Sequence, residues 1–163
     1  MARVDISQAD VLTAISARLV SQLSLDAALV FEVVNPMAPP PVIPGSDTFL
    51  TVAVGAGDFL IEEQATVQCA ENADFTVTGY CKISLDDPGR ESIFLKDSTR
   101  GILPLKRRIL KALIGHDLVS GSNNFLRDLL YAKRAGAPDY DPEKLVGWCS
   151  ITFGVHFDWD LTT

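Results

Sequence analysis

The end of the chain carries a long alternation of apolar and polar residues, which constrains the fold more than any other feature. Side chains of a strand point alternately to opposite faces of a sheet, so a period of two indicates one buried and one solvated face. The alternation lasts roughly a dozen residues, about twice the length of an average strand. The segment offers no nucleophile, metal cluster or phosphate loop, which favours assembly over catalysis. Its apolar positions are Cys149, Ile151, Phe153, Val155, Phe157, Trp159 and Leu161.

The length and composition indicate one globular domain. A chain of 163 residues with 47% hydrophobic and 21% charged residues suits a single domain over residues 1–163. No apolar run approaches the roughly 20 residues that cross a bilayer, and the first residues lack the apolar core of a signal peptide. We therefore expect a protein made in the cytosol, with no membrane partner. The odd number of cysteines, and the inward phase of Cys81 and Cys149, predict buried, reduced thiols.

Periodicity predicts the elements of the first half. Ser7 and Asp10 resemble a capped helix start, and the apolar spacing of Leu12, Ile15, Leu19 and Leu23 predicts a helix over residues 8–23. Five of the nine prolines lie in an extended loop over residues 36–45. The other predicted segments are strands over 28–34, 49–54, 59–69 and 75–85, with turns over 55–58 and 86–89.

Two further helices are predicted before the final strand. The first spans residues 97–115, with Ile102, Leu105, Ile109, Leu110 and Leu113 facing inward. Pro104 is tolerated if it lies in the first turn and otherwise kinks the helix. The second spans residues 124–135 and stops at Gly136 as a left-handed cap. The resulting fold class is α+β: a mixed or antiparallel sheet with a long C-terminal strand, packed against amphipathic helices.

No group of residues forms a convincing catalytic or metal site. His116 and Asp117 follow a helix end, where a cationic imidazole is favoured by the helix dipole. His156 shares a strand face with Asp158 and Asp160 but lacks further metal ligands. We therefore expect a non-enzymatic protein without catalytic residues, cofactor or metal. Two other groups are equally weak: Asp139, Asp141 and Glu143 are read as an exposed acidic loop, and Gly55 and Gly57 lack the Lys-Ser/Thr of a phosphate loop.

The charge is divided unevenly along the chain. Residues 1–81 hold two bases and ten acids, whereas residues 82–163 hold 12 bases and 11 acids. The overall net charge of −7 argues against tight, sequence-independent DNA binding. The basic residues Lys106, Arg107, Arg108 and Lys111 have two interpretations. They form a solvated helix face, or they approach acids of a neighbouring subunit, such as Asp58, Glu62 and Glu63.

The C-terminal residues carry a family resemblance. The run from Ala137 to Pro142, leading into the segment Gly147 to Phe157, resembles the closing segment of tail terminator proteins of long-tailed, lambda-type bacteriophages. That family is also similar in opening with an amphipathic helix, continuing with a strand meander and placing helices before a long final strand. The proline-rich loop over residues 36–45 departs from the family pattern.

The resemblance implies a structural role in the virion. It implies an α+β subunit that forms a homohexameric ring, caps the tail tube, ends tail elongation and offers a surface to the head connector. The implied partners are further copies of the chain, the tail tube protein and neck proteins, and genomic DNA would pass through the lumen without specific binding. Closed rings need heterologous contacts, and an acidic lumen would not grip phosphates.

Two alternatives stay open. The first is another phage neck or head-completion protein of similar size and fold class. The second is a small ligand-binding domain or enzyme, in which His116 and His156 would be the acid/base groups.

Overall fold

The computed structural model describes residues 7–34, 50–64, 68–82, 89–116 and 130–160. Within these ranges no helix is long and apolar enough to span a membrane. The elements, in chain order, are α1 Gln8–Leu23, a 3₁₀ turn Ala27–Leu29, β1 Val30–Glu32, β2 Leu50–Gln64, β3 Gln68–Lys82, α2 Arg90–Lys96, α3 Ile102–Leu113, β4 Tyr131–Ala135, β5 Asp139–Asp141 and β6 Val146–Asp160.

The strands form one six-stranded sheet in the order β1-β2-β3-β6-β4, and β5 also pairs with β6. Strands β1 and β2 are parallel, and the other pairs are antiparallel. Strands β3 and β6 pair from Gln68 opposite Asp160 to Lys82 opposite Val146. The predicted α+β class, with its mixed sheet and long C-terminal strand, is therefore confirmed.

The main core lies between the sheet and the helices. Phe75 pairs with Phe153, and Val77 pairs with Ile151, so their side chains share one face of the sheet. These four side chains and Phe157 are fully buried. The predicted inward phase of the final strand is correct from Cys149, which lies in the core, to Phe157. The side chain of Trp159 and residue Leu161 lie outside the described part of the structure.

Helix α1 follows from its capping and its periodicity. The Ser7 hydroxyl accepts a hydrogen bond from the Asp10 N–H, and the Asp10 carboxylate accepts one from the Ser7 N–H, which forms a capping box. Its predicted range is correct. The buried stripe differs at one position, because Val11 is fully buried whereas Leu12 is only partly buried.

Helix α3 lies close against the sheet at Gly79. A Cβ atom at this position would stand 2.8 Å from Leu105 Cδ2 and 3.2 Å from Ile109 Cδ1, so the glycine makes room for the helix. Because α3 begins at Ile102, Pro104 lies in the first turn and does not kink the helix; its missing N–H costs no intrahelical hydrogen bond there. Helix α3 ends at Leu113, two residues before the predicted end at Gly115, whose backbone is left-handed with φ of 71°.

The predicted turn over residues 55–58 is wrong. The chain continues as β2 through this segment, and the pairing with β3 shifts register between Ala56 and Phe59. A bulge thus absorbs the extra residues without reversing the chain. The predicted meander of three strands is therefore two 15-residue strands.

The predicted helix over residues 97–115 begins too early, and the separate helix α2 precedes it. Asp97 interrupts the helical path, because its ψ is 129°. Its Oδ1 accepts hydrogen bonds from the backbone N–H groups of Thr99 and Arg100, which turns the chain towards α3. The strand expected over residues 28–34 is also shorter, since β1 holds three residues.

The predicted helix over residues 124–135 is wrong where the structure describes it. Tyr131–Ala135 forms strand β4, which pairs with β6, and residues 124–129 lie outside the described ranges. Gly136 is not a left-handed cap, and its N–H donates to the Ser150 carbonyl at 2.8 Å. Pairing of residues 131–135 with a distant strand determines their conformation and overrides the local helical prediction.

The second face of the sheet is less solvated than its polar phase predicts. Tyr80 and Thr78 are buried, at 2% and 0% exposure. Ala53, Tyr80 and Val146 form a second apolar cluster, against which Val33 and Trp148 pack. The proline-rich loop over residues 36–45 and the turn residues 86–88 lie outside the described ranges.

Candidate subunit interface

The second half of β2 forms an exposed, apolar edge of the sheet. Strand β1 pairs with β2 only from Val52 to Val54, so beyond Val54 the described strands cover β2 on one side alone. Phe59, Leu60 and Ile61 are 60%, 62% and 50% exposed. Three consecutive exposed apolar residues are unusual in a strand with one solvated face, and register shifts flank them. We call Asp58–Glu62 the edge patch.

Acidic side chains flank the apolar residues of the edge patch. Asp58 is exposed. The Glu62 carboxylate lies 3.5 Å from His156 Nε2 across the sheet. Strand β2 includes Glu63, but the position of its side chain lies outside the described part of the structure.

The basic residues of α3 differ in exposure and in their contacts. Arg107 and Lys111 are exposed, and neither has an ion-pair partner among the described residues. Arg108 instead donates to the Leu23 carbonyl at 2.6 Å, at the C-terminal end of α1. Lys106 is half-buried near Cys149, where its charge opposes the increase in thiol pKa that burial causes.

Two apolar side chains accompany the exposed bases of α3. Leu103 is 42% exposed and Ile114, just beyond the helix, is 49% exposed. The spacing of Leu103, Arg107, Lys111 and Ile114 is close to one helical turn at each step, so they follow one side of the helix. We call these four residues the helix patch.

The edge patch and the helix patch are separated within one subunit. Helix α3 packs against β3, β6 and the other two helices, whereas α1 contacts α3 as well as β1 and β2. Helix α1 therefore lies between α3 and the β1–β2 side of the sheet. The predicted pairing of α3 bases with Asp58, Glu62 and Glu63 would therefore join different subunits, and it stays a prediction.

The two histidines do not form a common site. His116 lies after α3 and contacts the Arg18 guanidinium. Arg18 also donates through Nε to the Ala112 carbonyl at 3.1 Å, so an arginine supplies the positive charge expected from His116 at this helix end. His156 lies on the opposite side of the sheet, with its ring 5.9 Å from the Tyr131 ring.

The remaining candidate ligands are tied to local structure. Asp141 Oδ1 accepts hydrogen bonds from the N–H groups of Glu143 and Lys144, at 2.9 and 3.1 Å, as in an Asx turn. Asp139 opens the short strand β5 and accepts from the Tyr140 N–H. No group of three metal-ligating side chains occurs among the described residues. The side chains of Asp158 and Asp160, like residue 117, lie outside them.

Sequence reasoning missed one ion pair on the second face of the sheet. Lys133 Nζ lies 2.8 Å from Asp74 Oδ1, and the pKa of this lysine is raised chiefly by its hydrogen bond to Asp74. The sequence predicts a helix over residues 124–135, and this pairing is visible only when residues 131–135 are recognised as a strand. The ion pair joins β4 to β3 across β6.

The fold is similar to that of a protein from a virus-like particle. A chain in the structure described as "Virion of native gene transfer agent (GTA) particle" aligns with a TM-score of 0.57 and 19% identity. The alignment covers 93% of this chain and 99% of that chain. No protein-family model and no curated protein matches the sequence. At this identity the likeness shows a shared fold, over nearly the whole length of both chains.

Proposed function

We propose that this chain is a structural protein of a phage-like particle, and specifically a tail terminator that caps the tail tube as a ring. The observation that carries this proposal is the near full-length fold likeness to a chain of a gene transfer agent virion. It agrees with the resemblance of the C-terminal segment to tail terminators. Two independent features of the chain, its sequence pattern and its fold, thus favour the same class of protein.

The surface of the subunit supports a role in assembly. The edge patch leaves Leu60 62% exposed on a strand edge that no described strand covers. Monomeric proteins usually protect such edges, because unpaired N–H and C=O groups attract other chains. A subunit that acquires neighbours on assembly has this protection supplied by them.

The proposed ring closes tail elongation by occupying the end of the tube. The exposed face of the ring then receives neck proteins of the head, and DNA crosses the lumen during ejection. The chain has a sequence pI of about 4.7. An acidic protein is unsuited to gripping phosphates, since that grip requires Lys and Arg contacts. This property favours passage of DNA over its retention.

The test combines the purified chain with tail tubes assembled from the tube protein of the same particle. We expect light scattering and negative-stain electron microscopy to show closed rings, alone or at one end of the tubes. Tubes without the chain serve as the control. A chain that stays monomeric at high concentration and also leaves tube ends bare would contradict the proposal.

A neck or head-completion protein is the second candidate, because such proteins share the size and fold class. The same microscopy distinguishes the two, since a head-completion protein would bind portal complexes rather than tube ends. The enzyme alternative has less support, because His116 and His156 lie on opposite sides of the sheet and each contacts a side chain of its own subunit.

A further inference from the structure

We propose that the edge patch of one subunit docks on the helix patch of the next copy of the same chain. This inference rests on the proposed ring and names the surfaces that would build it. The edge patch is Asp58–Glu62 of β2, and the helix patch is Leu103, Arg107, Lys111 and Ile114 on α3.

The two patches match in hydrophobic character. Phe59, Leu60 and Ile61 present a continuous apolar segment that is at least half exposed at each position. Leu103 and Ile114 are 42% and 49% exposed at the two ends of the helix patch. Contiguous apolar surface with a charged rim is typical of protein–protein interfaces, whereas isolated exposed apolar residues are common on any surface.

The two patches also match in charge. Asp58 is exposed at one end of the apolar segment of β2, whereas Glu62 at the other end also lies 3.5 Å from His156 of its own subunit. Arg107 and Lys111 are exposed between the apolar ends of the helix patch. Neither base has an ion pair among the residues that the structure describes. Arg108 is excluded from the contact because its guanidinium is bound to the Leu23 carbonyl. The charged side chains of α3 that remain available for a contact are therefore Arg107 and Lys111, which lie on the same side of the helix as Leu103 and Ile114.

Pairing between two identical edges is disfavoured by the same residues. An antiparallel contact of β2 with β2 of another copy would bring Asp58 and Glu62 of one chain towards the same acids of the other. Like charges opposite each other destabilise a strand pair. Covering the edge with a helix of opposite charge avoids this repulsion and still protects the strand.

The edge patch and the helix patch of one subunit are too far apart to meet, so the proposed contact joins two subunits. Helix α1 lies between α3 and the β1–β2 side of the sheet, so one subunit cannot bring its own patches together. A contact between different surfaces of identical chains is heterologous, and it forms a ring when the rotation closes. The edge patch of each subunit then binds one neighbour, and its helix patch binds the edge patch of the other neighbour.

Cysteine crosslinking tests the contact directly. One variant carries Leu60→Cys, and a second carries Ile114→Cys with an added tag that changes its mass. The native cysteines Cys69, Cys81 and Cys149 are buried, so the parent chain treated with the same bismaleimide is the control. We expect crosslinks between the two variants under assembly conditions and none within either variant alone. Crosslinks within the Leu60→Cys variant alone would show edge-to-edge pairing and overturn the proposal.

Charge reversal supplies a second, independent test. Variant one carries Asp58→Lys, and variant two carries Arg107→Glu with Lys111→Glu. Each alone should need a concentration about tenfold higher, or more, for half-assembly. A mixture should approach the behaviour of the parent chain, because each mutant patch then meets a patch of opposite charge. Lys96→Glu with Lys144→Glu, outside both patches, is the matched control, and circular dichroism checks that every variant folds.

The outcomes separate this inference from the proposed function. If the parent chain and all variants form rings at the same concentration, the docking surfaces are wrong and the terminator role stands. If single variants fail and the mixture also fails, complementary docking is wrong. If the parent chain forms no ring, alone or with tail tubes, both the inference and the proposed function are lost.

Discussion

Gly147 lies directly against the aromatic ring of Phe94, so that a Cβ atom at position 147 would stand 2.8 Å from Phe94 Cδ2. This contact packs α2 against the N-terminal end of β6. The Phe94 ring also lies 6.0 Å from the Tyr140 ring of β5, and the Tyr140 hydroxyl donates to Glu91 at 3.1 Å. A seven-residue helix with no side-chain N-cap thus depends on its packing for stability.

Gly147→Ala should destabilise the fold by about 1–3 kcal/mol, because the added methyl group displaces the Phe94 ring. Urea unfolding followed by circular dichroism measures the change. Gly136→Ala is the matched control, since the nearest atom to its Cβ would be the Ser150 carbonyl oxygen at an ordinary 3.5 Å. Equal stability of the two variants would show that the ring moves aside without cost.

Phe153→Ala should reduce the free energy of unfolding by about 3–5 kcal/mol, because it leaves a cavity at a fully buried position. Phe59→Ala removes the same ring from a position that is 60% exposed. That variant should stay within roughly 0.5 kcal/mol of the parent chain. The comparison, made by denaturant unfolding of the monomer, separates core packing from surface exposure. A small effect of Phe153→Ala would mean that the inward face of β6 is assigned wrongly.

Arg108→Ala should destabilise the subunit by roughly 1.5–3 kcal/mol, because it removes a charge-assisted hydrogen bond from the Leu23 carbonyl. Arg107→Ala, one position away and exposed, should change stability by less than about 0.5 kcal/mol. Thermal unfolding of both variants provides the measurement. Equal losses of stability in the two variants would indicate that the positive charge of α3, and not this hydrogen bond, stabilises the subunit.

Acid should weaken the junction between α2 and α3 through Asp97. Hydrogen bonds from the Arg100 N–H and from Thr99 lower the pKa of this carboxyl below 3.8. A carboxyl whose folded pKa is depressed contributes stability above its unfolded pKa, and the contribution disappears as the pH falls through the folded pKa. Asp97→Asn should therefore flatten the stability profile below about pH 4, measured as unfolding midpoints across the acid range. An unchanged profile would exclude Asp97 as a contributor.

The core thiols should resist both ionisation and modification. Burial raises the pKa of Cys81 from 9.0 to about 12, and the nearby Cys149 makes a smaller contribution in the same direction. Burial also raises the pKa of Cys149. Between pH 9.0 and about pH 12, the Cys81 thiol ionises in the unfolded chain but not in the folded chain. Stability should therefore fall as the pH rises through this range.

Thiol titration tests the burial of the cysteines at neutral pH. We expect no rapid reaction of Cys69, Cys81 and Cys149 in the native chain and full reaction of all three in denaturant. A disulfide in freshly purified protein would contradict the expectation of reduced thiols.

The elements that sequence reasoning predicted well are those fixed by their own periodicity. Strand β6 shows uninterrupted alternation, and α1 carries a capping box, so both follow from local rules. The continuity of β2 could not be predicted in this way. Its Gly55, Gly57 and Asp58 have turn composition, and only pairing with β3 keeps the segment extended. Strand β4 could not be predicted for the same reason, since its partner is distant in sequence.

The candidate interface stays a prediction, and the structure changes which residues are available to it. Charge clustering in the sequence identified both the basic helix and the acidic residues that follow Gly57. Periodicity cannot show that Arg108 binds a carbonyl of another helix, because that contact depends on tertiary packing. Nor could it reveal that Phe59, Leu60 and Ile61 are exposed together, since the register shifts beside them alter the alternation.

The central position of β6 has a consequence for synthesis. Strand β6 pairs with β3, so Thr78 and Ser150 meet although they are 72 residues apart in sequence. Until β6 has been synthesised, the edge of β3 that it covers is open, and α3 lacks one of the two strands against which it packs. Non-local pairing of this kind is slow to form, and open strands attract other chains. The edge of β3 is therefore open to pairing with other chains until β6 is available to cover it.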